Sequence, residues 1–163
     1  MTTIPFSIRN NSEFEAQPKF DSNQLIFNKE FTELIHCPTS LKGSYKIPDT
    51  VEIIGIEAFA RCVELTSITI PKSIKTIGCL AFADCTGLKT IFIQSDTPIA
   101  FKPDSDIFHN VDKKNCRLIV PKGSKANYQR ANQWNEFKTI HEASSFDVTH
   151  SQRNYSETSK QAI

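Results

Sequence analysis

A chain of 163 residues with 39% hydrophobic content is long enough for one domain with a real core, and its length gives no reason to expect two. Its 19 basic and 18 acidic residues leave a formal charge of +1, which excludes a general electrostatic attraction to nucleic acid or to an anionic membrane. Ile far outnumbers Leu and Phe reaches 12, so the apolar content is weighted toward β-branched and aromatic residues that fit pleated surfaces.

The chain opens on Met1-Thr2-Thr3-Ile4-Pro5-Phe6-Ser7-Ile8-Arg9, which has neither the basic start nor the continuous apolar run of a secretory signal. Asn10, Asn11 and Ser12 follow at once, so no export signal is expected in this N-terminal flank, residues 1–23. Nowhere does an apolar stretch approach the roughly 20 residues that a membrane-spanning helix needs, and membrane insertion is not expected. Three short apolar runs come next: Leu25-Ile26-Phe27-Asn28, Leu34-Ile35-His36-Cys37-Pro38 and Gly43-Ser44-Tyr45-Lys46-Ile47-Pro48.

From Ile47 the chain repeats itself. Ile47-Pro48, Val51, Ile54-Gly55, Ala58-Phe59, Cys62, Leu65 and Ile68 return as Ile70-Pro71, Ile74, Ile77-Gly78, Ala81-Phe82, Cys85, Leu88 and Ile91, each 23 positions later. Each unit reads as one coil. Leu65-x-x-Ile68-x-Ile70 alternates like a strand with its apolar side inward, and Pro71 ends it by removing a donor and fixing φ. Val51 and Ile54, then Ile74 and Ile77, predict a second short extended segment, closed by Gly55 or Gly78 through a backbone angle that Gly takes easily. Ala58-Phe59 and Ala81-Phe82 predict a helical or 3₁₀ turn that drops one ring into the core. No coil can bury its apolar side alone, so the units have to stack, with a core ladder through Ile47, Ile70, Ile93 and Val120 beside Phe59 and Phe82.

After Phe82 the spacing lengthens and the cysteine is displaced, yet Ile107-Phe108 stands in for Ala-Phe and Leu118-Ile119-Val120-Pro121 for the next strand. Lys122-Gly123-Ser124 followed by Lys125-Ala126-Asn127-Tyr128-Gln129-Arg130-Ala131 predicts a Ser N-cap and a short helix, after which Trp134, Phe137 and Ile140 supply apolar cover. Such a cap is a physical requirement, because the last coil would otherwise expose its apolar rungs. Residues 141–163 are rich in Ser, Thr, Gln and Asn with little to bury, and a disordered tail is expected.

These units resemble the BspA-like, or Treponema-type, leucine-rich repeat, whose pattern is I-P-x-S-V-x-x-I-G-x-x-A-F-x-x-C-x-x-L-x-x-I-x. The resemblance covers residues 24–140 and implies a β-rich α/β fold: a right-handed leucine-rich-repeat solenoid of about four coils with short helical turns and a C-terminal cap helix. It divides the chain into a degenerate N-terminal coil at 24–46, two regular repeats at 47–93, and an irregular final coil with its cap at 94–140. Members of the family are commonly surface-associated or secreted and are implicated in adhesion to host or matrix proteins. The resemblance thus implies a non-enzymatic interaction module with a protein ligand, at the cell surface although no signal peptide is visible. The alternative it leaves open is a structural spacer, or a piece of a longer surface array, without a ligand of its own.

Tests for chemistry return little. Cys37, Cys62, Cys79, Cys85 and Cys116 form no C-x-x-C pair, so neither a disulfide framework nor a zinc site is signalled. Cys62 and Cys85 share a register and so sit about one rung, roughly 5 Å, apart, within disulfide reach; small buried hydrophobes in a ladder is the favoured reading. His36 and Cys37 point to opposite sides of an extended segment and cannot share a proton. The four histidines, His36, His109, His141 and His150, show neither i, i+4 pairing nor an acidic partner at ligand spacing. Asp96, Asp104, Asp106 and Asp112 gather in the irregular loop without EF-hand spacing. Lys113, Lys114, Arg117, Lys122 and Lys125 form a basic strip without interleaved aromatics, so nucleic acid is not expected as a partner. Asn10-Asn11-Ser12 and Asn154-Tyr155-Ser156 are formal glycosylation sequons. No nucleophile clusters with a base, and no enzyme activity, metal or cofactor is expected. What remains is the outward side of the stacked strands. Lys46, Thr69, Phe92 and Ile119 fall there in register, flanked by Ser44, Ser67, Thr90 and Arg117. The expected binding residues are Lys46, Thr69, Thr90, Phe92, Arg117 and Ile119, with Phe92 and Ile119 as an apolar anchor.

Overall fold

Each repeat contributes one strand to each of two sheets. The computed structural model describes residues 18–144; the start of the N-terminal flank, both sequons and the tail from 145 lie outside them. In chain order the strands are β1 (Lys19–Phe20), β2 (Ile26–Phe27), β3 (Glu33–His36), β4 (Gly43–Lys46), β5 (Ile53–Ile54), β6 (Leu65–Ile70), β7 (Thr76–Ile77), β8 (Thr90–Ile93) and β9 (Arg117–Val120). A helix, α1 (Lys125–Arg130), a 3₁₀ turn over Trp134–Glu136 and a last strand, β10 (Thr139–Glu142), follow. One sheet has the order β4-β6-β8-β9-β10 and is parallel throughout. The other runs β1-β2-β3-β5-β7, parallel from β3 onward, with the antiparallel pair β1 and β2 closing its N-terminal end. The result is a solenoid of about five turns. The rung beyond the roughly four coils that the repeat implies comes from β10, which pairs with β9 and carries the sheet two residues past position 140.

The core lies between the sheets as the 23-residue period requires. Ile47, Ile70, Ile93 and Val120 are buried in one ladder, and the Ile47 amide donates to the Thr69 carbonyl at 3.1 Å to set the stagger between coils. Phe59 and Phe82 stack with centroids 5.1 Å apart and an interplanar angle of 10°. Phe108 continues the column at 5.6 Å and 10°, so Ile107-Phe108 does occupy the Ala-Phe place of the irregular coil.

The turns and the glycines differ from expectation. The segment carrying Ala58-Phe59 is a chain of turns, with the Ala58, Ala60 and Cys62 amides bonded three residues back to Gly55, Glu57 and Phe59. Glu57 and Arg61 take left-handed φ values of 53° and 63°, which break each turn before a helix can propagate. Leu80 and Asp84 do the same one coil later, at 56° and 57°. Gly55 and Gly78 are absent from the positive-φ residues, so their freedom of backbone angle is not what the fold uses. Close approach is. A Cβ on Gly78 would lie 2.5 Å from the Ile56 nitrogen and 2.6 Å from the Gly55 carbonyl carbon, both backbone atoms of the preceding coil.

The cap is built differently from the Ser124 scheme. Ser124 does stand at the N-cap position, but its hydroxyl donates to the Pro121 carbonyl at 2.6 Å. Glu142 on β10 serves the free amides instead, accepting from the Gly123 and Lys125 nitrogens at 2.9 and 3.4 Å. Trp134 and Phe137 pack on Phe108 at 5.1 Å each, extending the aromatic column into the cap. The cap also holds the irregular segment before Ile107. Tyr128 and Trp134 donate to the carbonyls of Ser95 and Ile99, at 2.8 and 3.0 Å. The Gln133 side chain accepts from the Ile107 amide at 2.9 Å and donates to the Ser105 carbonyl.

Candidate binding face

The outward face of the β4-β6-β8-β9-β10 sheet is assembled by register. Lys46, Thr69, Phe92, Ile119 and His141 stand opposite one another across the five strands. A second row runs through Ser44, Ser67, Thr90, Arg117 and Thr139. All six residues named from sequence therefore share one face, and Phe92 and Ile119 are immediate neighbours. Thr139 and His141 add a fifth rung that the sequence reading did not foresee: it left Thr139 in the cap at 94–140 and His141 in the tail. The signal for it was available in Thr139-Ile140-His141, where the buried Ile140 alternates with partly or fully exposed neighbours.

Accessibility is less even than orientation. Ile119, Thr69 and Thr90 are only 4%, 5% and 7% exposed, so an open Phe92–Ile119 anchor is not what the face presents. Phe92 is half-buried, and Arg117 and His141 are exposed. The pleat decides which way a side chain points, whereas exposure depends on everything around it. The row is a packed floor with Phe92 reaching above it and charged groups at the rim. Arg117 Nη2 donates to the Thr90 hydroxyl at 3.3 Å, which lays the guanidinium along the floor. Lys46 Nζ meets Asp49 Oδ2 at 3.3 Å.

The opposite sheet carries exposed apolar residues that the repeat pattern did not single out. Ile35 and Ile53 project from β3 and β5, and Ile56 lies in the turn beyond.

The candidate chemical groups lie apart. Cys37 is buried while His36 is exposed, in keeping with opposite sides of the segment. The sulfur that meets Cys62 is not that of Cys85 but that of Cys37, at 3.4 Å. Cys85 turns its thiol to the Phe59 carbonyl at 3.0 Å, and burial pushes that thiol up to about 12. His109 does have an acidic partner, Asp106 Oδ2 at 2.9 Å, but the pair is exposed and belongs to no larger metal-holding group among the described residues. No group of His, Cys, Asp or Glu among the described residues is arranged to hold a metal ion. In the basic strip, Lys113 pairs with Glu136 at 2.6 Å. No helix among the described residues is long and apolar enough to cross a membrane.

The repeat itself matches a known family. The family model for a BspA type leucine-rich repeat region of 6 copies matches residues 27–117, more than half of the chain. No curated protein matches. Among solved structures, a leucine-rich cell surface protein from Faecalibacterium prausnitzii is 21% identical over 81% of this chain and 41% of that one, with a TM-score of 0.46. A leucine-rich repeat protein from Eubacterium ventriosum is 20% identical over 63% of this chain and 33% of that one, at 0.41. The pneumococcal vaccine antigen PcpA is 15% identical over 75% of this chain and 47% of that one, at 0.38. The chain thus spans less than half the length of each. The stacked 23-residue coils and the family match lead to one conclusion: this chain belongs to the BspA type leucine-rich repeat family.

Proposed function

We propose that this chain is a non-enzymatic, surface-associated protein-interaction module that adheres to a host or matrix protein through the outward face of its five-stranded parallel sheet. The observation that supports the reading is the continuity of that face: five strands in register extend it over about 19 Å at roughly 4.8 Å per rung. Phe92 is the anchor, Arg117, His141 and Lys46 form the rim, and Thr69, Thr90 and Ile119 are the floor. A floor already packed in the free protein loses little side-chain freedom on binding, so contacts made there are retained as affinity.

The test immobilises the chain and measures binding of purified extracellular-matrix proteins by biolayer interferometry. Phe92→Ser combined with Arg117→Glu is expected to weaken the bound partner at least about tenfold, since a few central residues carry most of an interface's energy. The melting temperature of the double variant is expected to stay within a few degrees. Unchanged affinity would remove this face as the site. Absence of any binding by the wild-type chain would leave the structural spacer as the better reading.

A further inference from the structure

The first coil joins the array through two shifts of register. β2 and β3 pair through a register shift, and the β4 to β6 ladder shifts between Gly43 and Ser44. On one side of this coil β4 is the edge strand of its sheet, with β6 alone beside it, and loosely held ends open first.

Two thiols meet at this junction. Cys37 follows β3 and donates its amide to the Ala58 carbonyl at 2.7 Å, which draws it against the turn that carries Cys62. The Cys62 amide is fixed on the Phe59 carbonyl at 3.1 Å. Cys37 Sγ and Cys62 Sγ are then 3.4 Å apart, both fully buried. Both sulfurs also face the Pro38 carbonyl, at 3.5 and 3.7 Å. We propose that Cys37 and Cys62 are an oxidative modification site: a disulfide between them staples the first coil to the first regular repeat.

A disulfide needs about 2.05 Å between the sulfurs, so the pair has to close by little more than about 1 Å. The oxidant is of the disulfide class, a small-molecule disulfide such as oxidised glutathione or a thiol oxidase. One cysteine thiolate attacks a sulfur of the oxidant and expels one thiolate, and the second cysteine then attacks the mixed disulfide and expels the other. Two protein thiols are oxidised, one disulfide is reduced to two thiols, and the two protons released end on those thiols. Because both sulfurs are inaccessible in the closed coil, the bond forms while that coil is open, during folding or end fraying, and persists in an oxidising compartment. Cys85 Sγ is held on the Phe59 carbonyl at 3.0 Å and Cys116 Sγ faces the Arg117 carbonyl at 4.0 Å, so the bridge takes Cys37 and Cys62 and leaves Cys79, Cys85 and Cys116 reduced.

The test refolds the reduced, denatured chain in a mixture of reduced and oxidised glutathione and alkylates it under denaturing conditions. Three alkylated cysteines, namely Cys79, Cys85 and Cys116, are expected, with one linked peptide pair containing Cys37 and Cys62. The oxidised protein should melt about 5–10 °C above the reduced one, the shift typical of a loop-closing bridge in a domain of this size. Cys85→Ser should leave the bridge intact and Cys37→Ser should abolish it. Five alkylated cysteines, a Cys62 to Cys85 link, or a lower melting temperature on oxidation would each overturn the proposal. The wild-type peptide map decides the matter even if a variant fails to fold.

Discussion

Replacing Phe82 by Ala cuts the aromatic column at its centre. The ring is fully buried, with Phe59 on one side at 5.1 Å and Phe108 on the other at 5.6 Å. Truncating a buried Phe costs about 3–5 kcal/mol, because the transfer energy and the cavity add. Two parallel ring contacts, each worth about 0.5–1.5 kcal/mol beyond burial, place this site in the upper part of that range. At about 2–4 °C per kcal/mol the melting temperature should fall by roughly 8–20 °C. Far-UV circular dichroism follows the whole array, while Trp134, the single tryptophan, reports from the cap. The two probes should melt together in the wild type and separate in the variant, since coils without the central ring keep only the sheet pairing and the backbone bonds between successive turns, such as the Phe82 amide on the Ile107 carbonyl at 3.0 Å. Phe82→Leu should recover more than half of the loss. A drop below about 3 °C, or coincident transitions in Phe82→Ala, would refute the column as the main coupling between coils.

Gly78→Ala should destabilise by about 1–3 kcal/mol, because its Cβ would sit 2.5 Å from the Ile56 nitrogen; Gly43→Ala, with open space at φ +76°, should cost only about 1–2 kcal/mol of backbone strain. Chemical denaturation of both variants checks this, and a larger loss at Gly43 would reverse the reasoning. Gln133→Ala strands the Ile107 amide and the Ser105 carbonyl in a buried site and should cost about 1–3 kcal/mol per group, read as faster hydrogen exchange at Ile107. Unchanged protection there would dismiss Gln133 as the anchor of the irregular coil. Burial pushes the Cys85 and Cys116 thiols up to about 12 from an ordinary value of 9.0. A folded pKa above the unfolded one means that the contribution is complete below about pH 9 and is lost as pH rises toward about 12, by up to about 1.4 kcal/mol per pH unit and thiol. Urea midpoints at pH 8 and 10.5 should therefore fall less in Cys85→Ala than in the wild type, and parallel declines would contradict the burial argument.

Much of the architecture is local information written 23 residues apart. Ile47, Ile70 and Ile93, the Phe59 and Phe82 rings, the parallel strands and the outward row through Phe92 all follow from a period and an alternation, which any stacked chain must convert into rungs. The need for a cap was equally plain, and Trp134, Phe137 and Ile140 were visible as its apolar cover. What only the tertiary structure decided concerns distances between coils and contacts made by segments outside the period. Gly55 and Gly78 recur because backbones approach there, a fact that repetition shows but does not explain. Cys62 meets the Cys37 sulfur at 3.4 Å across 25 residues, two more than the period, so the repeat alone does not pair them. Glu142 reaches residues 17 and 19 positions away and Gln133 residues 26 and 28 away, separations with no periodic trace. Alternation shows that Thr69 and Ile119 point outward, but whether such a side chain is open or closed off is a property of the whole surface, which no single strand contains.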